Sequence, residues 1–215
     1  MKAPQALLFD WDNTLVDSWG TIHEALVLTF TGMGHEPWTL EETKAKVSRS
    51  LREAFPPLFG DRWEEAKKLY MDSFMAIHLE RLTVLADAAE LIQGLAGKGH
   101  YLGVVSNKTG PVLRREADHL GWTPHFGKIV GATDAPMDKP HPAPVLMALE
   151  DSGFEPGDSV WFVGDTALDM ECAVRSGCVP VLVGPVDPAS PEFAKHPPRL
   201  HFDGCGALFR HIQGL

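Results

Sequence analysis

Short apolar runs alternate with helical patterns along much of the chain. Five of the runs are rich in β-branched or aromatic residues and end in small or polar residues, as is typical of strands buried on both faces of a parallel sheet. They cover residues 6–9, 101–105, 128–130, 160–163 and 179–183. Helical spacing follows over residues 111–120, 142–152 and 168–176. The alternation predicts an α/β fold, an open parallel sheet with helices on both faces.

One long segment carries helical spacing only. Between residues 17 and 83 the apolar positions recur every three or four residues, beginning with Ile22, Leu26 and Phe30. Because no strand-like run interrupts it, this segment predicts an all-helical cap domain inserted after the first strand. The expected domains are therefore a core of residues 1–16 and 84–215 and a cap of residues 17–83.

Proline and glycine predict several local features. Pro142 suits the first turn of a helix, and Gly153 suits its C-cap. The proline-rich tail after Gly184 predicts irregular structure, closed by a short edge strand at residues 200–202 and a final helical turn.

Composition narrows the function classes. The 215 residues carry 19 Lys and Arg against 29 Asp and Glu, a formal net charge of −10, with 44% hydrophobic residues. An acidic chain without a basic run is not expected to bind nucleic acid or an anionic membrane. Neither a signal peptide nor a transmembrane run is evident, so we expect a cytoplasmic protein, monomeric or homodimeric. Three cysteines without paired spacing argue against a disulfide framework or a zinc site.

Polar residues with coherent chemistry follow the apolar runs. In an open parallel sheet, ligands bind beyond the carboxyl ends of the strands. The residues expected there include four carboxylates, two lysines and hydroxyl groups: Asp10, Asp12, Thr14, Ser106, Asn107, Lys108, Lys139, Asp165 and Asp169. Crowded carboxylates repel one another unless a cation lies among them, and oxygen ligands favour Mg²⁺. The lysines and the Ser106 hydroxyl would embrace a phosphoryl group, whose transfer depends on positioning and charge neutralisation.

Asp10 and Asp12 are two residues apart, so on an extended segment their carboxylates point the same way. One can attack phosphorus while the other protonates the leaving oxygen and later activates water.

Four motifs resemble those of the haloacid dehalogenase superfamily. They are Asp10-Trp11-Asp12-Asn13-Thr14-Leu15-Val16, Ser106, Lys139 and Gly164-Asp165-Thr166-Ala167-Leu168-Asp169, in the superfamily's order. Ser106-Asn107-Lys108 and Lys139-Pro140-His141-Pro142 are similar to the phosphoglycolate phosphatase branch. The resemblance implies a Rossmann-like core with a helical cap that closes over the site. One residue departs from the pattern, because Asn13 replaces the usual glycine; Asn tolerates positive φ, so we expect the turn to survive.

The resemblance also implies roles for the site residues. Asp10 would be the nucleophile and Asp12 the general acid/base, with Mg²⁺ held by Asp10, the main-chain carbonyl of Asp12 and Asp165. Ser106, Asn107 and Lys139 would bind the phosphate. Asp169 and Thr14 would play supporting parts, Asp169 as an outer ligand or by orienting Lys139.

The expected partner is a small phosphate ester, and the expected activity is a Mg²⁺-dependent phosphatase reaction through an aspartyl-phosphate. In the cap, Arg49 or Arg52 could read a substrate carboxylate or second phosphate, although a solvated helix face explains them equally well. A β-phosphoglucomutase-like phosphotransferase and a non-catalytic binding module on the same fold remain open alternatives. A haloacid dehalogenase is disfavoured because it does not need Asp12, and a phosphonatase because no Schiff-base lysine is evident in the early cap.

Overall fold

Two units make up the computed structural model, which describes residues 3–215. The sheet unit comprises the chain up to Val16 together with Val84–Leu215, and the helical unit is Asp17–Thr83. Within the described chain, no helix combines the length and the apolar character needed to span a bilayer.

The sheet unit is built on six parallel strands in the order β5-β4-β1-β6-β7-β8. The strands are β1 (Ala6–Phe9), β4 (Tyr101–Thr109), β5 (Lys128–Ala132), β6 (Val160–Gly164), β7 (Val179–Val183) and β8 (Leu200–Phe202). Every residue of β1, β6 and β7 is buried, which explains why these strands read as continuous apolar runs. The carboxyl ends of β4, β1 and β6 are adjacent, so the polar residues that follow them are brought to one edge of the sheet.

Helices flank this sheet: α5 (Ala88–Gly97), α6 (Gly110–His119), α7 (Ala143–Leu149), α8 (Ala167–Ser176) and α9 (Cys205–Gln213). Leu8, Val105 and Phe162 from the strands pack with Val145 and Ala173 from α7 and α8 in one buried cluster. The predicted α/β fold is thus confirmed.

Two details of the sequence prediction are wrong. Helix α7 ends at Leu149, because Glu150 turns to an extended ψ of 134°. Gly153, with φ 78°, therefore lies beyond the following turn and is not the C-cap of the helix. The predicted final turn is a full helix, α9, whose apolar face includes the buried Leu208 and Phe209.

The helical unit contains α1 (Trp19–Gly32), α2 (Leu40–Lys46), α3 (Leu51–Phe59) and α4 (Trp63–Ile77). Its interior is aromatic, with ring centroids 5.1 to 5.7 Å apart for the pairs Phe55–Phe59, Phe55–Tyr70 and Tyr70–Phe74. Two further strands, β2 (Val16–Asp17) and β3 (Thr83–Val84), form a separate two-stranded sheet.

Candidate active site

The loop after β1 is a tight turn that presents Asp10 and Asp12. The main-chain N–H of Asp10 donates to the carbonyl of Val163 in β6 (2.8 Å). The Trp11 carbonyl accepts the N–H groups of Thr14, Leu15 and Val16, so the chain folds back immediately. Asn13 takes φ 62°, the left-handed conformation that Asn tolerates better than most side chains. The turn is therefore formed without the glycine that the family pattern has at this position.

Three carboxylates meet at the ends of β1 and β6. Asp10, Asp165 and Asp169 each offer an oxygen, and these atoms all lie within 4.8 Å of one another. Asp165 follows β6 directly, and its Oδ1 accepts a hydrogen bond from the Thr14 hydroxyl (3.0 Å). The predicted supporting residue Thr14 thus links the loop after β1 to the loop after β6.

Lys139 supplies the positive charge of this cluster. Its Nζ lies 2.8 Å from Asp10 Oδ1 and 2.7 Å from Asp169 Oδ1, and its side chain is only 2% exposed. Asp169 is fixed by a capping box at the start of α8, where its Oδ2 accepts from the N–H (3.0 Å) and the hydroxyl (2.5 Å) of Thr166. Both oxygens of Asp169 are thus engaged, Oδ1 by Lys139 and Oδ2 by Thr166, and its supporting role at the site stays a prediction.

A glycine allows Asp169 to approach this closely. A Cβ atom added at Gly164 would lie 2.4 Å from Cβ and Cγ of Asp169. The last residue of β6 therefore has to be glycine for the first turn of α8 to pack against it.

The electrostatics of the cluster favour a cation. Burial raises the pKa of Asp10 to about 6, against the lowering effect of Lys139 and with a further raising effect of Asp169. Burial, together with Asp169 and Asp10, also raises the pKa of Asp165 well above its ordinary value. Burial alone would lower the pKa of Lys139, but Asp10 and Asp169 raise it above its ordinary value, so the lysine stays charged.

The residues present fit a divalent metal ion. When all three carboxyl groups are ionised, one ammonium leaves an excess of two negative charges within the cluster. Asp10 Oδ1 is buried, with the Lys139 ammonium 2.8 Å away as its charged partner. A hard cation with oxygen ligands would neutralise the excess charge. The Asp12 side chain lies outside this cluster of three.

Asp12 instead faces a second buried lysine. Lys108 Nζ lies 2.7 Å from Asp12 Oδ1 and 2.6 Å from Glu116 Oε2. The ammonium of Lys108 thus lies between two carboxylates, and the expectation that it helps to embrace a phosphoryl group stays a prediction. Burial would lower the pKa of Lys108, but Asp12 and Glu116 raise it above its ordinary value.

Glu116 was not expected from the motifs. It is fully buried on α6, and its Oε2 also accepts the indole N–H of Trp11 (2.8 Å). The sequence did contain a signal for this residue, because Glu116 lies on the same face of α6 as the apolar residues Val112, Leu113 and Ala117. A carboxylate on the buried face of a helix indicates a partner in the interior.

The second motif lies at the end of β4. Ser106 is buried, and its Oγ accepts the N–H of Lys108 (3.2 Å). The carboxamide of Asn107 binds the main chain of Lys139 twice, because Oδ1 accepts its N–H (3.0 Å) and Nδ2 donates to its carbonyl (3.2 Å). Both ends of the Asn107 amide thus contact the Lys139 main chain, and the expected contact of Asn107 with phosphate stays a prediction.

Arg49 belongs to the helical unit. Its side chain is 61% exposed and pairs with that of Glu53, four residues further along the chain (3.3 Å). Its assignment as a substrate contact, like that of Arg52, stays a prediction.

Comparison with known proteins decides the family. The profile of the family described as haloacid dehalogenase-like hydrolase matches residues 7–183. The chain belongs to the haloacid dehalogenase-like hydrolases. A phosphoglycolate phosphatase from Aquifex aeolicus is 32% identical over 177 residues, covering 80% of this chain and 81% of the relative. A Clostridium perfringens protein that is provisionally named a pyrophosphatase is 28% identical over 173 residues. The matched region covers 80% of this chain and 80% of that relative.

A solved haloacid dehalogenase-like hydrolase from Streptococcus pneumoniae has the same fold, with a TM-score of 0.85 at 22% identity over 99% of this chain and 100% of that one. The predicted family is confirmed, and the predicted enzyme class agrees with the names of these relatives.

Proposed function

We propose that this haloacid dehalogenase-like hydrolase is a Mg²⁺-dependent phosphatase that hydrolyses a small phosphorylated metabolite of the phosphoglycolate type through an aspartyl-phosphate. The observation that carries the proposal is the contact of Asp10 with Lys139 inside a buried cluster of three carboxylates. The resemblance of the chain to phosphoglycolate phosphatases supports the substrate class.

Asp10 and Asp165, with the main-chain carbonyl of Asp12, would hold the metal ion. Bound there, Mg²⁺ supplies positive charge that neutralises the carboxylates and a phosphate dianion. Asp169 already uses both oxygens, so it acts through Lys139. Lys139 and the Ser106 hydroxyl would bind phosphoryl oxygens, and Asn107 would hold the main chain of Lys139 in place.

The reaction runs in two balanced steps. An Asp10 oxygen forms a bond to phosphorus as the ester P–O bond breaks, and the leaving oxygen takes a proton from Asp12. Water then attacks phosphorus while Asp12 accepts its proton, which releases inorganic phosphate and restores the Asp10 carboxylate.

The decisive test uses Asp10→Asn, with Asp158→Asn as the matched control because Asp158 is exposed and pairs only with Arg199 among the described contacts. With Mg²⁺ and p-nitrophenyl phosphate, we expect Asp10→Asn to lower kcat by more than about 10⁴-fold, the order of loss when a covalent nucleophile is removed. Acid quenching of the wild type with labelled substrate should trap phosphate on the protein, and Asp10→Asn should trap none. Equal turnover of the variant and the wild type would refute the mechanism.

A substrate panel tests the metabolite class. Phosphoglycolate, sugar phosphates, nucleoside monophosphates and pyrophosphate separate a carboxylate-bearing ester from the diphosphate that the name of one relative indicates. We expect the highest kcat/KM for phosphoglycolate, with Arg49 contributing to recognition of its carboxylate. A strong preference for a substrate without a carboxylate would remove the proposed role of Arg49.

A further inference from the structure

A chain of buried polar contacts continues from Asp12 away from the carboxylate cluster. Lys108 Nζ contacts Asp12 at 2.7 Å and Glu116 at 2.6 Å, and the Lys108 and Glu116 side chains are only 6% and 1% exposed. Asp12 is more accessible, with 18% of its side chain exposed. The arrangement leads from a partly exposed carboxyl group to a fully enclosed one.

Glu116 is tied to the same loop from its other side. The Oε2 atom that accepts from Lys108 also accepts the Trp11 indole N–H at 2.8 Å. Trp11 is itself fully buried and packs edge-on against Trp122 with ring centroids 5.7 Å apart. Residues 11 and 12 are thus both connected to Glu116, one directly and one through Lys108.

Stability alone does not account for this arrangement. Enclosing ammonium and carboxylate groups costs desolvation energy, and buried ion pairs are often no more stabilising than apolar side chains of the same size. By contrast, Lys128 and Glu150 form their ion pair where the Glu150 side chain is 65% exposed, at little desolvation cost. What distinguishes the Lys108 pair is its contact with a carboxyl group that the reaction uses.

We propose that Lys108 is a positioning residue for the Asp12 carboxyl group and that Glu116 positions Lys108. This rests on the proposed function, in which Asp12 gives its proton to the leaving oxygen as the ester P–O bond breaks and the Asp10–P bond forms. Lys108 keeps all its protons in this step and holds Asp12 in place through the contact with Oδ1. Glu116 acts through Lys108, since its Oε2 contacts the ammonium on the far side.

The proposal can be tested by comparing two substrates whose leaving groups differ in their need for a proton. An alkoxide is a poor leaving group and depends on the proton from Asp12, whereas dinitrophenolate departs without one. A misplaced Asp12 should therefore slow alkyl ester cleavage selectively, while general damage to the protein slows both reactions alike.

The experiment measures kcat/KM for phosphoglycolate and for 2,4-dinitrophenyl phosphate in the wild type, Lys108→Met, Glu116→Gln and Lys108→Met/Glu116→Gln. Asp12→Asn sets the full effect of losing the acid, and Lys128→Met is the matched control. For Lys108→Met we expect a loss of about 10²-fold with phosphoglycolate, at the lower end for general acid catalysis, and less than about threefold with the dinitrophenyl ester. Glu116→Gln should show the same selectivity with a loss of about tenfold, because it disturbs Asp12 through Lys108 while the Gln carbonyl oxygen can still accept the Trp11 indole N–H.

The double variant separates positioning from folding. Lys108→Met alone leaves Glu116 buried without its cation, whereas the double variant removes both charges and should keep the wild-type circular dichroism spectrum. If Glu116 acts only through Lys108, the double variant should lose no more with phosphoglycolate than Lys108→Met does.

Three results would overturn the proposal: equal losses with the two esters, no loss in a folded double variant, or a full additional loss from Glu116→Gln in the absence of Lys108. A wild type that cleaves neither ester, and traps no phosphate on Asp10, would instead refute the proposed function and this inference with it. Wild-type cleavage of both esters with an unselective Lys108→Met refutes this inference alone.

Discussion

Two buried lysines in the sheet unit have closely matched surroundings and different uses. Lys139 bridges Asp10 and Asp169, and Lys108 bridges Asp12 and Glu116. In each case one carboxylate belongs to the loop after β1 and the other lies on a helix, α8 or α6. Each of the two carboxylates proposed to react is therefore held by its own lysine and its own buried acid.

The difference lies in the charge around each lysine. Asp165 adds a third carboxylate beside Lys139, and the resulting excess of negative charge favours a metal ion. Beside Lys108, the additional group is the neutral indole N–H of Trp11, which donates to Glu116. A divalent cation and a phosphate dianion fit the first arrangement. By the same count, the second arrangement has an excess of one negative charge against two in the first, and it suits a device that holds one carboxyl group in position.

The largest effect expected from replacing either lysine distinguishes the two directly. Lys139→Met should lower kcat/KM by about 10² to 10³-fold, as when a group that stabilises transition-state charge is removed. Because Lys139 faces the nucleophile and the phosphate, the loss should be similar for phosphoglycolate and 2,4-dinitrophenyl phosphate. Steady-state kinetics of both esters, with Lys128→Met as control, check this; a loss confined to the alkyl ester would assign Lys139 the role proposed for Lys108.

Metal binding should stabilise the protein more at neutral than at acidic pH. Without metal, the native protein holds protons on Asp10 between the ordinary pKa of 3.8 and about 6, where the unfolded chain has released them. The free energy of unfolding of the metal-free protein should therefore fall as the pH rises through this window. Mg²⁺ relieves that destabilisation, and a hundredfold excess over Kd adds about 2.7 kcal/mol.

Thermal melts in Mg²⁺ and in EDTA at pH 5 and pH 7.5 measure this difference, with Asp165→Asn as a variant that should weaken it. A Mg²⁺-induced shift in Tm that is equal at the two pH values would show that the carboxylate cluster is not the metal site.

The smallest expected effect concerns Asn107. Replacing it with Ala removes two hydrogen bonds to the Lys139 main chain, each contributing about 0.5 to 1.5 kcal/mol, so kcat should fall by about tenfold. Inhibition by inorganic phosphate distinguishes positioning from direct binding. We expect the inhibition constant to change less than kcat; an inhibition constant that rises by the larger factor would support Asn107 as a phosphate ligand.

Much of the sheet unit could be predicted from the sequence because buried parallel strands leave a clear pattern. The runs at residues 6–9 and 179–183 coincide with β1 and β7. Strand β4 is longer than predicted, reaching Thr109, because Ser106, Asn107 and Lys108 remain extended although they are polar. Because these residues are polar, the sequence pattern did not predict them as part of the strand. The same polar character made them candidates for the site.

The helical unit was predictable in kind and less so in detail. The apolar spacing from Leu40 to Phe55 reads as continuous, yet the chain forms two helices, α2 and α3, with a break at residues 47–50. Val47 takes an extended ψ of 110° after the last turn of α2. Periodicity indicates helical structure, but it shows neither where a helix stops nor which residues are buried, since Leu40 is exposed and Thr43 is the buried residue of α2.

The sequence by itself determined the candidates for the reacting groups, since Asp10, Asp12 and Asp165 follow apolar runs whose ends must meet at one edge of a parallel sheet. Only the tertiary structure decided which residues pair. Trp11 and Glu116 are 105 residues apart, and Asn107 and Lys139 are 32 apart. Contacts at such separations depend on strand order and helix packing, which place side chains to within a fraction of an ångström and leave no periodic trace in the chain.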